Sequence, residues 1–181
     1  MKAYSINPQT QELKEIDLDI QANTAYTFFS SSLIDESEIL SRHILYSDAN
    51  ALSESKTPFF LGGQLIVGEA LIFGREDFQD LEVTIAQNDL NLLINYEVNK
   101  FYLDALDALS STELNLYRMV EVDSGSEKVP LNVEWVLSTF NIADDRTKEY
   151  FINELKKTID AGESVEEYMK KMAGLALDAA S

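Results

Sequence analysis

The sequence predicts an α+β fold, a mostly antiparallel sheet with packed helices followed by a helical C-terminal region, on three observations. Residues 1–98 carry alternating or short continuous apolar runs broken by turn residues, the period-2 signature of strands. Beyond residue 131 the apolar residues recur at three and four, the helix period. The 181 residues are 45% hydrophobic with 7 Gly and 3 Pro, the balance of a chain that buries a core. That length suits one domain or one domain with an appendage, divided as a sheet domain at 1–98, a connecting helix and strand at 99–130, and a helical region at 131–181.

The first element is a hairpin. Lys2 to Asn7 alternates, Pro8-Gln9-Thr10-Gln11 turns the chain, and Glu12 to Ile16 alternates again. Tyr26, Phe29 and Leu33 suit a short helix over Asn23 to Leu33, with Asn23 or Thr24 as its N-cap. His43 to Tyr46 and the longer Phe59 to Gly74 are apolar enough for inner strands, and Gly62, Gly63, Gly68 and Gly74 mark turns, bulges or close backbone approach within them. Leu81 to Ile85 and Leu90 to Val98 are further strands, the second because Leu92, Ile94, Tyr96 and Val98 alternate with polar residues.

The period then changes. Asn99 to Ser110 gathers Phe101 or Tyr102, Ala105, Leu106 and Leu109 on one side of a helix, with Glu97, Lys100, Asp104 and Asp107 on the other. Leu114 to Val122 is expected as a strand running into the loop Asp123-Ser124-Gly125-Ser126-Glu127. Helices follow over Asn132 to Phe140 and Asp144 to Asp160, the latter closed by Gly162. Ser164-Val165-Glu166-Glu167 opens the last as a capping box.

Most enzyme chemistries find no residues here. Without cysteine there is no disulfide, thiolate metal site or cysteine nucleophile. The single histidine, His43, sits in an apolar run with no G-x-S-x-G elsewhere, so it is read as a strand residue satisfied by a neighbour. The glycines match neither phosphate-loop spacing, and Asp123 to Glu127 lacks the length of a calcium loop. Glu12-Leu13-Lys14 and Glu154-Leu155-Lys156 carry E-x-K at chance level. The expectation is a protein without catalytic residues, cofactor or metal. A carboxylate-dependent hydrolase is the remaining enzymatic alternative.

Charge is the informative feature: 32 Asp and Glu stand against 14 Lys and Arg, a net of -18. Direct nucleic-acid or anionic-membrane binding is not expected, because Lys156-Lys157 and Lys170-Lys171 lie among acidic residues in helical patterns. The N-terminus lacks an apolar signal core and no run approaches the ~20 apolar residues that span a bilayer, so a cytoplasmic location is expected. Duplex DNA carries one charge per ~1.7 Å, so -18 equals roughly 30 Å of duplex on a protein about 40 Å across. The stretch from Glu69 to Glu127 is densest, with 13 acidic residues opposed by Arg75, Lys100 and Arg118. Glu76, Asp77, Asp80, Glu82, Glu97, Asp104 and Asp107 are therefore the candidate partner-binding carboxylates, weighed against acidity that only maintains solubility.

Met1 to Pro8 with Leu13 to Ile16, then Phe59-Phe60 through Gly63, Gly68 and Leu71-Ile72-Phe73-Gly74, resembles small uncharacterised domains encoded by bacteriophages and other mobile elements. The resemblance covers about residues 1–98 and carries no catalytic motif. It implies genomic company: a small acidic phage protein of this kind looks like the inhibitors phages aim at host restriction or CRISPR machinery. The functional expectation is an acidic protein-binding module, in its sharpest form a DNA mimic presented to a basic, nucleic-acid-handling host protein. The alternative is a homo-oligomeric accessory or structural protein that uses apolar surface from Trp135 and the C-terminal helices.

Overall fold

The structure is a computed structural model that describes residues 1–19, 24–124 and 127–180. It is α+β and falls into two compact units, Met1–Val98 and Asn99–Ser181.

The first unit is built on a six-stranded antiparallel sheet. β1 (Lys2–Asn7) and β2 (Glu12–Asp17) form the expected hairpin, whose turn is held by the Asn7 side chain accepting from the backbone N–H of Gln9 and Thr10 at 3.0 and 3.1 Å. α1 is shorter than the apolar spacing suggests, Thr24–Phe29, because Ser30 turns left-handed (φ 53°) and closes it through Ser30 N–H to Thr27 and Ser31 N–H to Tyr26. Asn23, the alternative cap, lies outside the described residues.

β3 (Ile34–Leu40) was not expected, since Asp35, Glu36, Ser37 and Glu38 are poor strand formers. It is an edge strand. Charge along an exposed edge deters pairing with another chain, so some of the acidity has a structural reason.

β4 (His43–Asp48) is an inner strand as expected, buried along its whole length. The run from Phe59 to Gly74 resolves into β5 (Pro58–Leu61), β6 (Gln64–Val67) and β7 (Ala70–Glu76). Gly62 and Gly63, at φ 59° and 90°, form the two-residue turn between β5 and β6, a backbone that glycine adopts without steric cost.

Three expected strands are corrected. Leu81 to Ile85 is not one; β8 is Gln79–Leu81, and after it the Val83 N–H donates to the Lys2 carbonyl. Leu90 to Val98 is instead α2 (Gln87–Asn91) followed by β9 (Ile94–Asn95). There the N–H groups of Asp89 and Leu90 both turn back to the Ala86 carbonyl. Leu90 is buried while Leu92 is exposed, so local turn bonding overrides the alternation. In the second unit, Leu114 to Arg118 is irregular with a turn at Leu116 and Tyr117, and the strand is β10 (Met119–Ser124).

The large sheet runs β2-β1-β7-β4-β3, with β8 also pairing β7, and β6-β5-β9 form a second antiparallel sheet. One face of the large sheet holds Ala3, Ile44, Tyr46, Leu71 and Phe73, covered by Phe28 and Phe29 of α1. Strand alternation puts Ile6, Leu45 and Ile72, all fully buried, on the other.

Asp48, at the end of β4, anchors the adjoining loops. Its carboxylate, 5% exposed, accepts from Ser31 Oγ at 2.6 Å, Asn50 N–H at 3.0 Å and Lys56 Nζ at 3.1 Å. Burial works to raise its pKa, but the three donors outweigh it and hold the carboxyl below the usual carboxylate range. A group depressed in the folded state stabilises above its unfolded pKa of ~3.9 and loses that contribution as pH falls through the folded value. Asp48→Asn is therefore expected to cost ~2 kcal/mol at pH 7, from the weakened charge-assisted bonds, and the cost should shrink as pH drops below ~4. Urea unfolding at pH 7 and pH 3 measures both. Asp35, raised by burial and by the Asp48 charge, works in the opposite sense.

The second unit opens with α3 (Lys100–Leu109), capped by the Asn99 side chain, which accepts from the Tyr102 N–H at 3.3 Å. β10 pairs with β11 (Glu127–Asn132), a strand not expected because Pro130 lies within it. Pairing runs from Met119/Asn132 to Ser124/Glu127, so the expected loop is the end of a hairpin whose Gly125 and Ser126 lie outside the described residues.

α4 (Val133–Asn141), α5 (Asp145–Asp160) and α6 (Val165–Ala180) follow, close to expectation. Asp144 caps α5 by accepting from the Thr147 N–H. At the other end, Gly162 N–H to Ile159 and Glu163 N–H to Thr158 complete a Schellman closure. Ser164 Oγ accepts from the Glu167 N–H as the capping box requires, while the Glu167 carboxylate accepts from Lys170. α3 packs on α4 and α5, and the β10–β11 hairpin lies on α6 and α4, so residues 99–130 pack with the C-terminal helices. Their core is aromatic: Phe151 has the rings of Phe101, Phe140 and Tyr168 at 5.7, 4.8 and 5.6 Å. Trp135 is half-buried on α4.

Candidate functional site

Within the densest carboxylate segment, four of the seven candidates, Glu76, Asp77, Asp80 and Glu82, lie on or beside the β7–β8 hairpin. Register pairs Gly74 with Leu81, Arg75 with Asp80 and Glu76 with Gln79, leaving Asp77 and Phe78 as a two-residue turn. Both stand in the left-handed region, at φ 49° and 64°. Such turns favour Asn-Gly or Asp-Gly, so Asp77 suits its place and Phe78 does not. Phe78 is 93% exposed.

The hairpin is braced from below. Arg75 Nη2 bonds the Tyr46 hydroxyl and Asp80 Oδ1, the latter at 2.9 Å, while Nη1 reaches Glu36 Oε2 of β3 at 3.0 Å. Tyr46 in turn donates to the Asp80 carboxylate at 2.8 and 3.0 Å, and its ring lies beneath the guanidinium at 5.6 Å. Burial pushes the Tyr46 phenol up, and its bond to the Asp80 carboxylate pushes it further, so it remains a proton donor. For Arg75, burial is opposed and outweighed by the bonds to Asp80 and Glu36, which keep the guanidinium charged. Gly74 permits the close approach of the returning strand: a Cβ there would lie 2.4 Å from the Glu82 carbonyl oxygen.

This geometry sorts the candidate carboxylates. Glu76, Asp77 and Glu82 are exposed on or beside the hairpin, whereas Asp80 is half-buried and engaged by Arg75 and Tyr46. Glu97 is exposed and belongs to the first unit, while Asp104 and Asp107 belong to the second. Asp104 pairs with Lys100 and lines a groove of about 670 Å³ between α3 and α5 that also presents Lys148, Glu149 and Lys156. That groove is of mixed charge. Asp107 stands exposed on α3.

His43 is a buried strand residue. Its Nε2 faces the Thr84 N–H and hydroxyl at 3.4 and 3.2 Å and its Nδ1 the Ser41 carbonyl at 3.2 Å, which places the proton on Nδ1. Among the described residues no group of three His, Asp or Glu side chains converges as a metal site, and no helix is long and apolar enough to cross a membrane. Lys157 pairs with Glu154, and Lys170 with Glu166 and Glu167, as solvated helix faces do.

Sequence reasoning missed Phe78, Arg75, Tyr46 and Glu36. One signal was available: Phe78 is the single apolar residue in Arg75-Glu76-Asp77-Phe78-Gln79-Asp80. Compared with family models, curated proteins and solved structures, the chain matches none of them.

Proposed function

We propose that this chain is a non-enzymatic, acidic protein-binding module that presents the β7–β8 end of its first unit to a basic, nucleic-acid-handling protein. The observation that carries the reading is the exposed set Glu76, Asp77 and Glu82 on a hairpin fixed by the Arg75, Asp80, Tyr46 and Glu36 network, in a chain of net charge -18. Carboxylates carried on a braced hairpin steer a cationic partner and fix its register, because the backbone that presents them is ordered before binding. With the resemblance to phage and mobile-element domains, the specific form is a cytoplasmic inhibitor of host defence that occupies a DNA channel in place of DNA. A homo-oligomeric accessory role draws on a different observation, the exposed Ile142, Tyr150 and Leu175 of the second unit.

Affinity capture from host lysate at low salt tests the reading, repeated with Glu76→Gln/Asp77→Asn and, separately, Asp104→Asn/Asp107→Asn. The expected partner is basic and binds wild type with affinity that falls steeply between 50 and 300 mM salt, a range over which the Debye length shortens from ~14 to ~6 Å. The hairpin variant is expected to lose affinity about tenfold and to flatten that salt dependence, as two charges near the interface would. A neutral partner, or binding indifferent to both salt and the hairpin charges, would reject the reading.

A further inference from the structure

From the β7–β8 turn we infer that Phe78 is a docking anchor: it inserts into an apolar pocket rimmed by Lys or Arg on a partner protein, with Glu76 and Asp77 meeting the rim. This rests on the protein-binding reading above and adds the chemistry of the contact. Two independent features of the residue support it. The ring is 93% exposed at the tip of a hairpin, so it contributes almost nothing to this chain's own core. Its backbone, at φ 64°, is one that a bulky residue adopts at a cost and glycine adopts freely, so the position works against the stability of the fold. A residue that neither fills the core nor suits its turn is accounted for by a contact outside the chain.

The occupant follows from the surroundings. An exposed aromatic ring is the kind of group that dominates interface energetics when a partner encloses it. Glu76 and Asp77 precede the ring and remain exposed, and the groove that Phe78 lines adds Glu38 against the exposed Arg42, while Arg75 is engaged by Glu36 and Asp80; carboxylates predominate, so the complementary pocket is cationic at its rim. The same two carboxylates would be repelled by an anionic lipid surface. Beneath the tip, the bonds of Arg75 to Asp80 and Glu36 hold the hairpin against β3 and β4, so the ring is presented on a firm support.

The test uses the full chain and the protein captured by it, purified. Phe78→Ala is expected to weaken binding at least 30-fold, the ratio corresponding to a hot-spot contact, while leaving the salt dependence unchanged. Phe78→Gly is expected to lose binding equally while raising the thermal midpoint of the first unit by about 4 °C, which separates loss of the contact from loss of the fold. A benzophenone side chain placed at position 78 is expected to cross-link to apolar residues of the partner that lie beside Lys or Arg. If Phe78→Ala stays within threefold while Glu76→Gln/Asp77→Asn weakens binding, the anchor is refuted and the acidic module stands. If neither variant matters, or nothing is captured, both readings fail. Cross-linking to a second copy of this chain, or Phe78-dependent sedimentation with phosphatidylcholine and phosphatidylglycerol vesicles, overturns the anchor in favour of self-association or lipid.

Discussion

Phe151→Ala is expected to cost the second unit about 4 kcal/mol. The ring is fully buried and is the common neighbour of Phe101, Phe140 and Tyr168, so its removal opens a cavity that three other rings line. Truncating a buried Phe typically loses 3–5 kcal/mol, the upper part where the surroundings cannot collapse. Here collapse is hindered, because the Tyr168 hydroxyl is tied to the Phe151 carbonyl at 2.8 Å and the Phe rings project from separate helices. Amide exchange across residues 99–180 reads the effect directly. A change below 1 kcal/mol there would mean that this aromatic cluster does not organise the unit.

The second large effect is expected at Gly74, where alanine would set a methyl group 2.4 Å from the backbone oxygen of Glu82. The obstacle is main chain, so a side-chain rotation cannot relieve it and β8 must move away from β7. We expect a loss of ~3 kcal/mol, the top of the usual range for overpacking. The loss should be local in origin: exchange at residues 79–82 accelerates most, and the Arg75 and Asp80 pairing across the hairpin is broken. Because that pairing positions Glu76, Asp77 and Phe78, partner affinity should fall together with hairpin protection. Retention of full affinity in Gly74→Ala would show that the hairpin geometry is irrelevant to binding.

How far the sequence could be read depended on where hydrogen bonds and packing agreed with pattern. The first hairpin, the inner strands around Ile44 and Leu71, and helices α3 to α6 were legible because periodicity, caps and burial all coincide. Asn99 and Asp144 cap their helices, and Gly162 ends its own. β3 was illegible because an edge strand with one solvated side tolerates Asp and Glu that propensity counts against it. Residues 90–98 misled because alternation there coincides by chance with a one-turn helix and a two-residue strand.

The candidate site was legible only in part. Net charge drew attention to the segment containing Glu76, Asp77, Asp80 and Glu82, but sequence treats those four alike. Pairing register separates them, since Asp80 lies opposite Arg75 and within reach of Tyr46, while Glu76 and Asp77 lie beyond the last braced pair. Tyr46 and Glu36 reach the hairpin only because β4 and β3 stack beside β7 in an order that does not follow the chain. No local pattern encodes such an order.

Whether the β7–β8 end of the first unit is the binding surface is read by amide hydrogen exchange on the chain alone and in complex with the captured partner. Protection on binding is expected to centre on residues 74–82, to extend to the turn at Ser41 and Arg42, whose Arg42 lines the same groove as Phe78, and to be lost when Phe78 is replaced by glycine. Protection confined to residues 100–109 and 145–156, along the mixed-charge groove of the second unit, with 74–82 unchanged, would contradict it.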